Sequence, residues 1–182
     1  MQKGIFYDTA SPSANICEKQ VENLSLAFYH DALPDIDPLE LETSLSLDLN
    51  EEFSLSGHPD IISRPGIDDL KFGGVKRRYQ AQVGAYAYLA MKSGRTKPGE
   101  LRIIHIPRTP IAKPQGLTEI TRYDVSDCIH EASDVVRTIA NQLKHFLSTC
   151  DPSCFPANPA SILCSNKYCP AFCVKQWCRM GE

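Results

Sequence analysis

The chain has 182 residues, 42% apolar and 23% charged, with a formal net charge of −3. That length suits one domain with its own core and a small appendage, and it needs no disulfides to fold. The slightly acidic balance excludes a global basic field, so any nucleic-acid site has to be a local patch. No apolar run approaches the ~20 residues needed to span a bilayer, and the first residues, MQKGIFYDTASPS, lack the apolar stretch of a signal peptide. A cytoplasmic protein is expected. There, clustered cysteines point to metal ligation more than to disulfides, and six of the eight fall between Cys150 and Cys178.

In chain order, residues 14–31 predict a helix with Ile16, Val21, Leu24 and Phe28 toward one face. Leu33-Pro34-Asp35-Ile36-Asp37-Pro38 breaks it. Leu45, Leu47 and Leu49 alternate with Ser44, Ser46 and Asp48, the period of a half-buried strand. Asn50-Glu51-Glu52 turns the chain, and FSLSGHPDIIS reads as a returning strand bent at Gly57. A turn at Arg64-Pro65-Gly66 leads into IDDLKF, a third strand, so an antiparallel meander is expected. A helix over 76–93 follows, with Tyr79, Val83, Tyr86, Ala87 and Ala90 near one face and Ser93-Gly94 as its stop. LRIIHI is an apolar strand placed centrally in the sheet. Residues 107–124 read as loop. Residues 126–148 carry a helical pattern in Ile129, Ala132, Val136, Ile139, Leu143 and Phe146. The tail, 150–182, has little periodicity.

Asp60 lies in GHPDII, and Asp69 and Lys71 lie in IDDLKFGG. Positions 69 and 71 are two apart in a strand and share a face. If 59–63 pairs with 67–72 through the turn, Asp60 comes near Asp69. Two carboxylates beside one amine suit Mg²⁺ or Mn²⁺, hard ions that want oxygen ligands and keep open positions. Lys71 can then position a water or stabilise developing negative charge. Two aspartates and a lysine near a hairpin are also common surface furniture. The flanking Ile61, Ile62 and Ile67 put this group at a core edge instead, where an acid needs a reason.

Gly57 through Asp60, then Asp69 through Lys71, then Gln82 through Tyr86 give a G-x-x-D, a D-x-K and a Q-x-x-x-Y element in order within thirty residues. This arrangement resembles the RecB-like branch of the PD-(D/E)XK nuclease superfamily. The resemblance implies an α/β, restriction-endonuclease-like core over 1–149, with a central mixed sheet and flanking helices. It implies an Mg²⁺- or Mn²⁺-dependent DNA nuclease, an exonuclease acting on ends or single strands in repair, recombination or phage DNA processing. It further implies that Asp60 and Asp69 ligate the metal, assisted by the backbone carbonyl of Leu70, and that Gln82 and Tyr86 face the site. The i, i+4 spacing of Gln82 and Tyr86 independently places both on one helix face. Relatives often add an upstream histidine as a ligand, for which His30 is the candidate here. Glu42 is a further acid on the first strand, read more simply as an exposed strand-edge carboxylate. The rival reading is a metal-stabilised nucleic-acid-binding or assembly subunit that keeps the fold without efficient chemistry.

Lys76, Arg77 and Arg78 open the predicted helix that carries Gln82, where they can contact phosphates or simply form a solvated end. Tyr79, Tyr86 and Tyr88 could stack bases, although core packing suits Tyr88 better. In the tail, Cys164, Cys169, Cys173 and Cys178 can surround one metal centre, and thiolates suit zinc or an iron–sulfur cluster. RecB-like relatives of the phage and CRISPR-adaptation types carry C-terminal cysteines binding a 4Fe–4S cluster, with one ligand before the core. By that resemblance Cys17 is an alternative to Cys178 as the fourth ligand. Zinc and unliganded thiols stay open. Residues 150–182 are thus expected to form a cysteine-rich metal-binding segment.

Overall fold

The structure, a computed structural model, describes residues 14–73, 77–151 and 154. Helix α1 spans Ala14–Ala27 and runs into a π-helical turn, Phe28–Ala32, and a 3-10 turn, Leu33–Asp35. Pro34 opens the 3-10 turn, where its missing N–H costs nothing, and Pro38 starts the first strand, where the ladder does not need its donor. The strands are β1 (Pro38–Leu41), β2 (Leu45–Asp48), β3 (Ser54–Gly57), β4 (Ile61–Ser63) and β5 (Gly66–Phe72). Helix α2 (Gln80–Lys92) leads to β6 (Glu100–Ile106), β7 (Glu119–Tyr123) and α3 (Val125–Thr149).

The fold is α/β with a five-stranded mixed sheet in the order β1-β4-β5-β6-β7. Only β5 and β6 are parallel, and α2 is the crossover between them. The other pairs, β1 with β4, β4 with β5 and β6 with β7, are antiparallel. The expected three-strand meander is corrected here. Strands β2 and β3 form a hairpin that is its own two-stranded sheet. The stretch FSLSGHPDIIS is therefore two strands, not one. The chain leaves one sheet at Gly57 and enters the other at Ile61, and the buried Pro59 between them has no N–H to continue a ladder.

Two strands lie where none was expected. β1 occupies PLEL, and β7 occupies EITRY inside the stretch read as loop. Both are short edge strands bearing charges, which blurs the alternation that marks a half-buried strand. Helix α2 begins at Gln80 rather than at 76, so Arg77 and Arg78 precede it. Strand β6 is an interior strand, buried along Leu101–Ile106, as the apolar character of LRIIHI predicts.

The chain forms two compact units, Met1–Ser133 and Asp134–Glu182. In the first, the sheet has a core on each face. One joins Ile62, Ile67, Leu101 and Ile103 to Val83, Ala87, Leu89 and Ala90 of α2, to Cys128 at the start of α3, and to Leu45 of the hairpin. The other joins Ile61, Ile104 and Ile106 to Ala27, Ala32 and Ile36. In the second unit, Val136, Leu143 and Phe146 of α3 are half-buried, whereas Ile139, read as part of the same stripe, is 53% exposed. Among the described residues no helix is long and apolar enough to cross a membrane.

Candidate active site

The alternation along β5 decides which side chains meet. Ile67 belongs to the core under α2, so Asp69 and Lys71 share that face, while Leu70 packs against the core on the α1 side. Asp69 is 1% exposed and ion-paired with the Lys71 ammonium. Lys71 in turn stands 5.1 Å from the centre of the Tyr79 ring. Asp60 lies in the bend between β3 and β4, just before β4 rather than within a strand. Its Oδ2 accepts a hydrogen bond from the backbone N–H of Leu70 at 2.6 Å. Its own carbonyl accepts from the N–H of Glu42 at 2.9 Å. Asp60 is thereby held beside the Asp69–Leu70 peptide, ten positions away in sequence.

Burial pushes the Asp69 carboxyl above the ordinary carboxylate range. The hydrogen bond and charge of Lys71 pull it part of the way back, and the negative charge of Asp60 adds to the rise. An acid that is almost fully buried, close to a second acid and matched to one amine is a charge arrangement that a cation would relieve. The two carboxylates and the Leu70 carbonyl fit a hard divalent ion that keeps several of its waters. They do not make a complete protein cage. Among the described residues no group of three His, Cys, Asp or Glu side chains is placed to hold a metal.

His30 is exposed on the π-helical turn, its ring edge-on to Tyr29 at 5.2 Å. It joins no such group, and neither does Glu42. Glu42 lies just past β1 with φ 49°, a left-handed backbone uncommon for a residue with a side chain. Its side chain is exposed, and its contribution to the site is the N–H that anchors Asp60.

Gln82 and Tyr86 lie one turn apart on α2, and Gln82 Nε2 donates to the Tyr86 hydroxyl at 2.9 Å. The Tyr86 ring covers Gly57, where an added Cβ would come within 2.7 Å of Cε1. The first element of the G-x-x-D pattern and the last of the Q-x-x-x-Y pattern therefore touch. Gly57 is needed for that close approach.

The basic run is less free than its sequence suggests. Arg78 donates to Glu131 on α3 and to Gln80, both at 2.6 Å. Arg77 is exposed, and Lys76 lies outside the described residues. Tyr88 has Lys92 5.6 Å from its ring centre. Cys164, Cys169, Cys173 and Cys178 lie outside the described residues, as does the side chain of Cys17, whose backbone is in α1.

Sequence reasoning missed His105. It is 6% exposed on β6, and neither ring nitrogen has a hydrogen-bond partner. The available signal was a polar residue flanked by isoleucines near the end of LRIIHI. A groove of about 750 Å³ opens on the opposite face of the sheet, lined by Val21, Leu24, Phe28, Leu70 and Phe72 among others, and it includes neither carboxylate.

No family model matches the chain, and no curated protein matches it in sequence. Among solved structures it shares its fold with a protein from Eubacterium rectale described as a "Putative exonuclease". The TM-score is 0.53 at 13% identity, over 87% of this chain and 68% of that one. At that identity the likeness is one of fold.

Proposed function

We propose that this chain is a divalent-cation-dependent deoxyribonuclease of the RecB-like PD-(D/E)XK type, cytoplasmic, acting on DNA ends or single strands. The observation that carries the reading is the convergence of Asp60 and Asp69 beside Lys71 at the edge of a buried core. Three further features support it: the five-stranded mixed sheet, the Tyr86–Gly57 packing, and the fold shared with a protein described as a "Putative exonuclease".

The Asp60 and Asp69 carboxylates and the Leu70 carbonyl would hold Mg²⁺ or Mn²⁺, which when bound polarises a phosphate and lowers the pKa of a coordinated water. The chain's own residues do the rest. Lys71 supplies a positive charge next to the reacting phosphate, where it stabilises the charge that builds in the transition state. Gln82 donates to the Tyr86 oxygen, which leaves the phenol proton free to donate to a phosphate oxygen. Exposed Arg77 adds a sequence-independent phosphate contact.

Incubation of the anaerobically purified protein with end-labelled single- and double-stranded DNA, with Mn²⁺ and with a chelator, tests this reading. Cation-dependent loss of label that Asp69→Ala abolishes is the expected result. The lack of a third acidic or histidine ligand among the described residues favours a second reading, a DNA-binding subunit without chemistry. That reading requires DNA retention with no cleavage under any cation.

For the tail we propose a 4Fe–4S cluster on Cys164, Cys169, Cys173 and Cys178, with Cys17 as the other fourth ligand and zinc as the other metal. Iron, sulfide and zinc analysis of the anaerobic protein decides among these, and a protein free of all three has plain thiols there.

A further inference from the structure

Lys71 and His105 are register partners on the parallel strands β5 and β6. Partners in register project to the same face, and neighbouring strands lie about 4.8 Å apart. On β6, Leu101 and Ile103 face α2 while Ile104 and Ile106 face α1, so His105 points to the α2 side with Asp69 and Lys71. Ile103 is the register partner of Asp69, and Glu119 of β7 is the partner of His105 on its other side.

This histidine is anomalous as a core residue. Both ring nitrogens are shut off from solvent and unpartnered, on a strand whose other buried positions on that face are Leu101 and Ile103. A buried polar group without a partner costs free energy that an aliphatic side chain would not. Lys71 beside it has the complementary difficulty. Its ammonium is paired with Asp69, one of the two carboxylates that a cation at this site would claim.

We propose that His105 is the second seat of the Lys71 ammonium. While Asp69 is free, Lys71 pairs with it. When Asp69 serves a divalent cation, Lys71 turns across the strand register and donates one N–H to the unprotonated ring nitrogen of His105. A neutral imidazole has one acceptor nitrogen, and an ammonium has three donors. The Tyr79 ring, already 5.1 Å from the ammonium, holds it near the site in both positions. His105 is thus a positioning residue. It keeps Lys71 close to the reacting phosphate and lowers the cost of loading the cation. The proposal rests on the cation-site reading above.

Mn²⁺ binding, read from the electron paramagnetic resonance of the free ion, tests it without any turnover. His105→Leu should weaken Mn²⁺ binding about tenfold, the scale of one lost hydrogen bond to a charged group. His105→Gln, which keeps an acceptor, should bind nearly as wild type. Lys71→Met should bind more tightly than wild type, because no ammonium competes for Asp69. On that background His105→Leu should change nothing, since the two residues act as one unit. In chelator, His105→Leu should melt at or above the wild-type temperature, because it removes an unpartnered buried group. If leucine does not fit, His105→Met carries the same expectations.

Unchanged Mn²⁺ affinity in His105→Leu and His105→Met overturns the proposal. So does an equal loss with and without Lys71, or a lowered melting temperature in both apolar variants. If the wild type itself binds no Mn²⁺, the cation-site reading falls and takes this proposal with it. A wild type that binds, with His105→Leu and His105→Met binding equally well, removes the proposal alone.

Discussion

The backbone N–H of Leu70 donates to the Asp60 carboxylate at 2.6 Å. That one bond ties the bend before β4 to the strand carrying Asp69 and Lys71, and it sets the separation of the two acids. Replacing Asp60 separates two roles. Asp60→Ala should destabilise the fold by ~1.5–3 kcal/mol, the range for a hydrogen bond to a charged group, and should abolish cation binding. Asp60→Asn keeps an oxygen for the Leu70 N–H, so it should cost less than ~1 kcal/mol while still losing the cation. Chemical denaturation beside Mn²⁺ titration measures both. Equal destabilisation by the two variants would show that the Leu70 contact does not anchor the bend.

Asp69 makes stability depend on pH in the direction opposite to an ordinary salt-bridged acid. Its carboxyl is raised above the ordinary carboxylate range, chiefly by burial. The folded protein therefore binds this proton more tightly than the unfolded chain does. Linkage then gives a contribution that favours the fold at low pH and is lost as pH climbs from the unfolded value through the folded one. Asp69→Asn removes the buried charge. In chelator at pH 7 it should melt at or above the wild-type temperature, and the difference should shrink toward acid. A variant clearly less stable than wild type at pH 7 would mean that the Lys71 pair outweighs burial.

Much of this site was legible because strand alternation is a hard rule. Asp69 and Lys71 had to share a face, and Ile67 two residues earlier had to share it too, which placed the acid at a core edge. Gln82 and Tyr86 followed in the same way from the helical period. The strand boundaries around Asp60 were not legible. A single apolar-alternating run, FSLSGHPDIIS, serves two different sheets, and no local pattern says where a chain changes sheets. Edge strands β1 and β7 were missed because exposed and charged positions interrupt their short apolar patterns. Arg78 read as a phosphate contact because its partner, Glu131, is fifty-three residues away. His105 stood out in sequence only as a polar residue among isoleucines, since what makes it unusual is the lack of a partner in three dimensions.

Gly84 gives a prediction whose sign separates packing from helix propensity. It lies inside α2, where alanine would favour an isolated helix by ~1 kcal/mol. A Cβ there would fall 2.0 Å from the Cys128 carbonyl oxygen and 2.3 Å from its carbonyl carbon. Both are backbone atoms and cannot swing aside. Gly84→Ala should therefore destabilise by ~1–3 kcal/mol, the scale of an overpacked core. The same contact shields Cys128, whose thiol is buried and pushed up to about 11, chiefly by burial. At pH 8 it should stay unlabelled by a thiol reagent in the native protein and should become labelled in Gly84→Ala. Peptide mapping reads this out. A stabilised alanine variant would mean that the two helices stand farther apart than described.

Asp68 and Asp69 are adjacent in sequence and opposite in role. The pleat sends Asp68 to the α1 side of the sheet, where it is ion-paired with Arg102 of β6, and both side chains are almost fully buried. Arg102 also donates to the Asp35 carbonyl at 3.1 Å, so the pair fastens the 3-10 turn to the sheet. Removing one partner leaves an unpaired charge in the core. Asp68→Ala should cost ~3–5 kcal/mol for that reason. Replacing both, Asp68→Leu with Arg102→Met, should recover most of the loss, because a well-packed apolar pair often matches a buried ion pair. Neither change touches the face that carries Asp69, so the folded double variant should bind Mn²⁺ as wild type does. Asp69→Ala should behave in the reverse way, folding well and binding no cation. Denaturation curves and Mn²⁺ titrations of these three proteins decide it. If the Asp68 double variant folded but lost the cation while Asp69→Ala kept it, the wrong aspartate would have been assigned to the site.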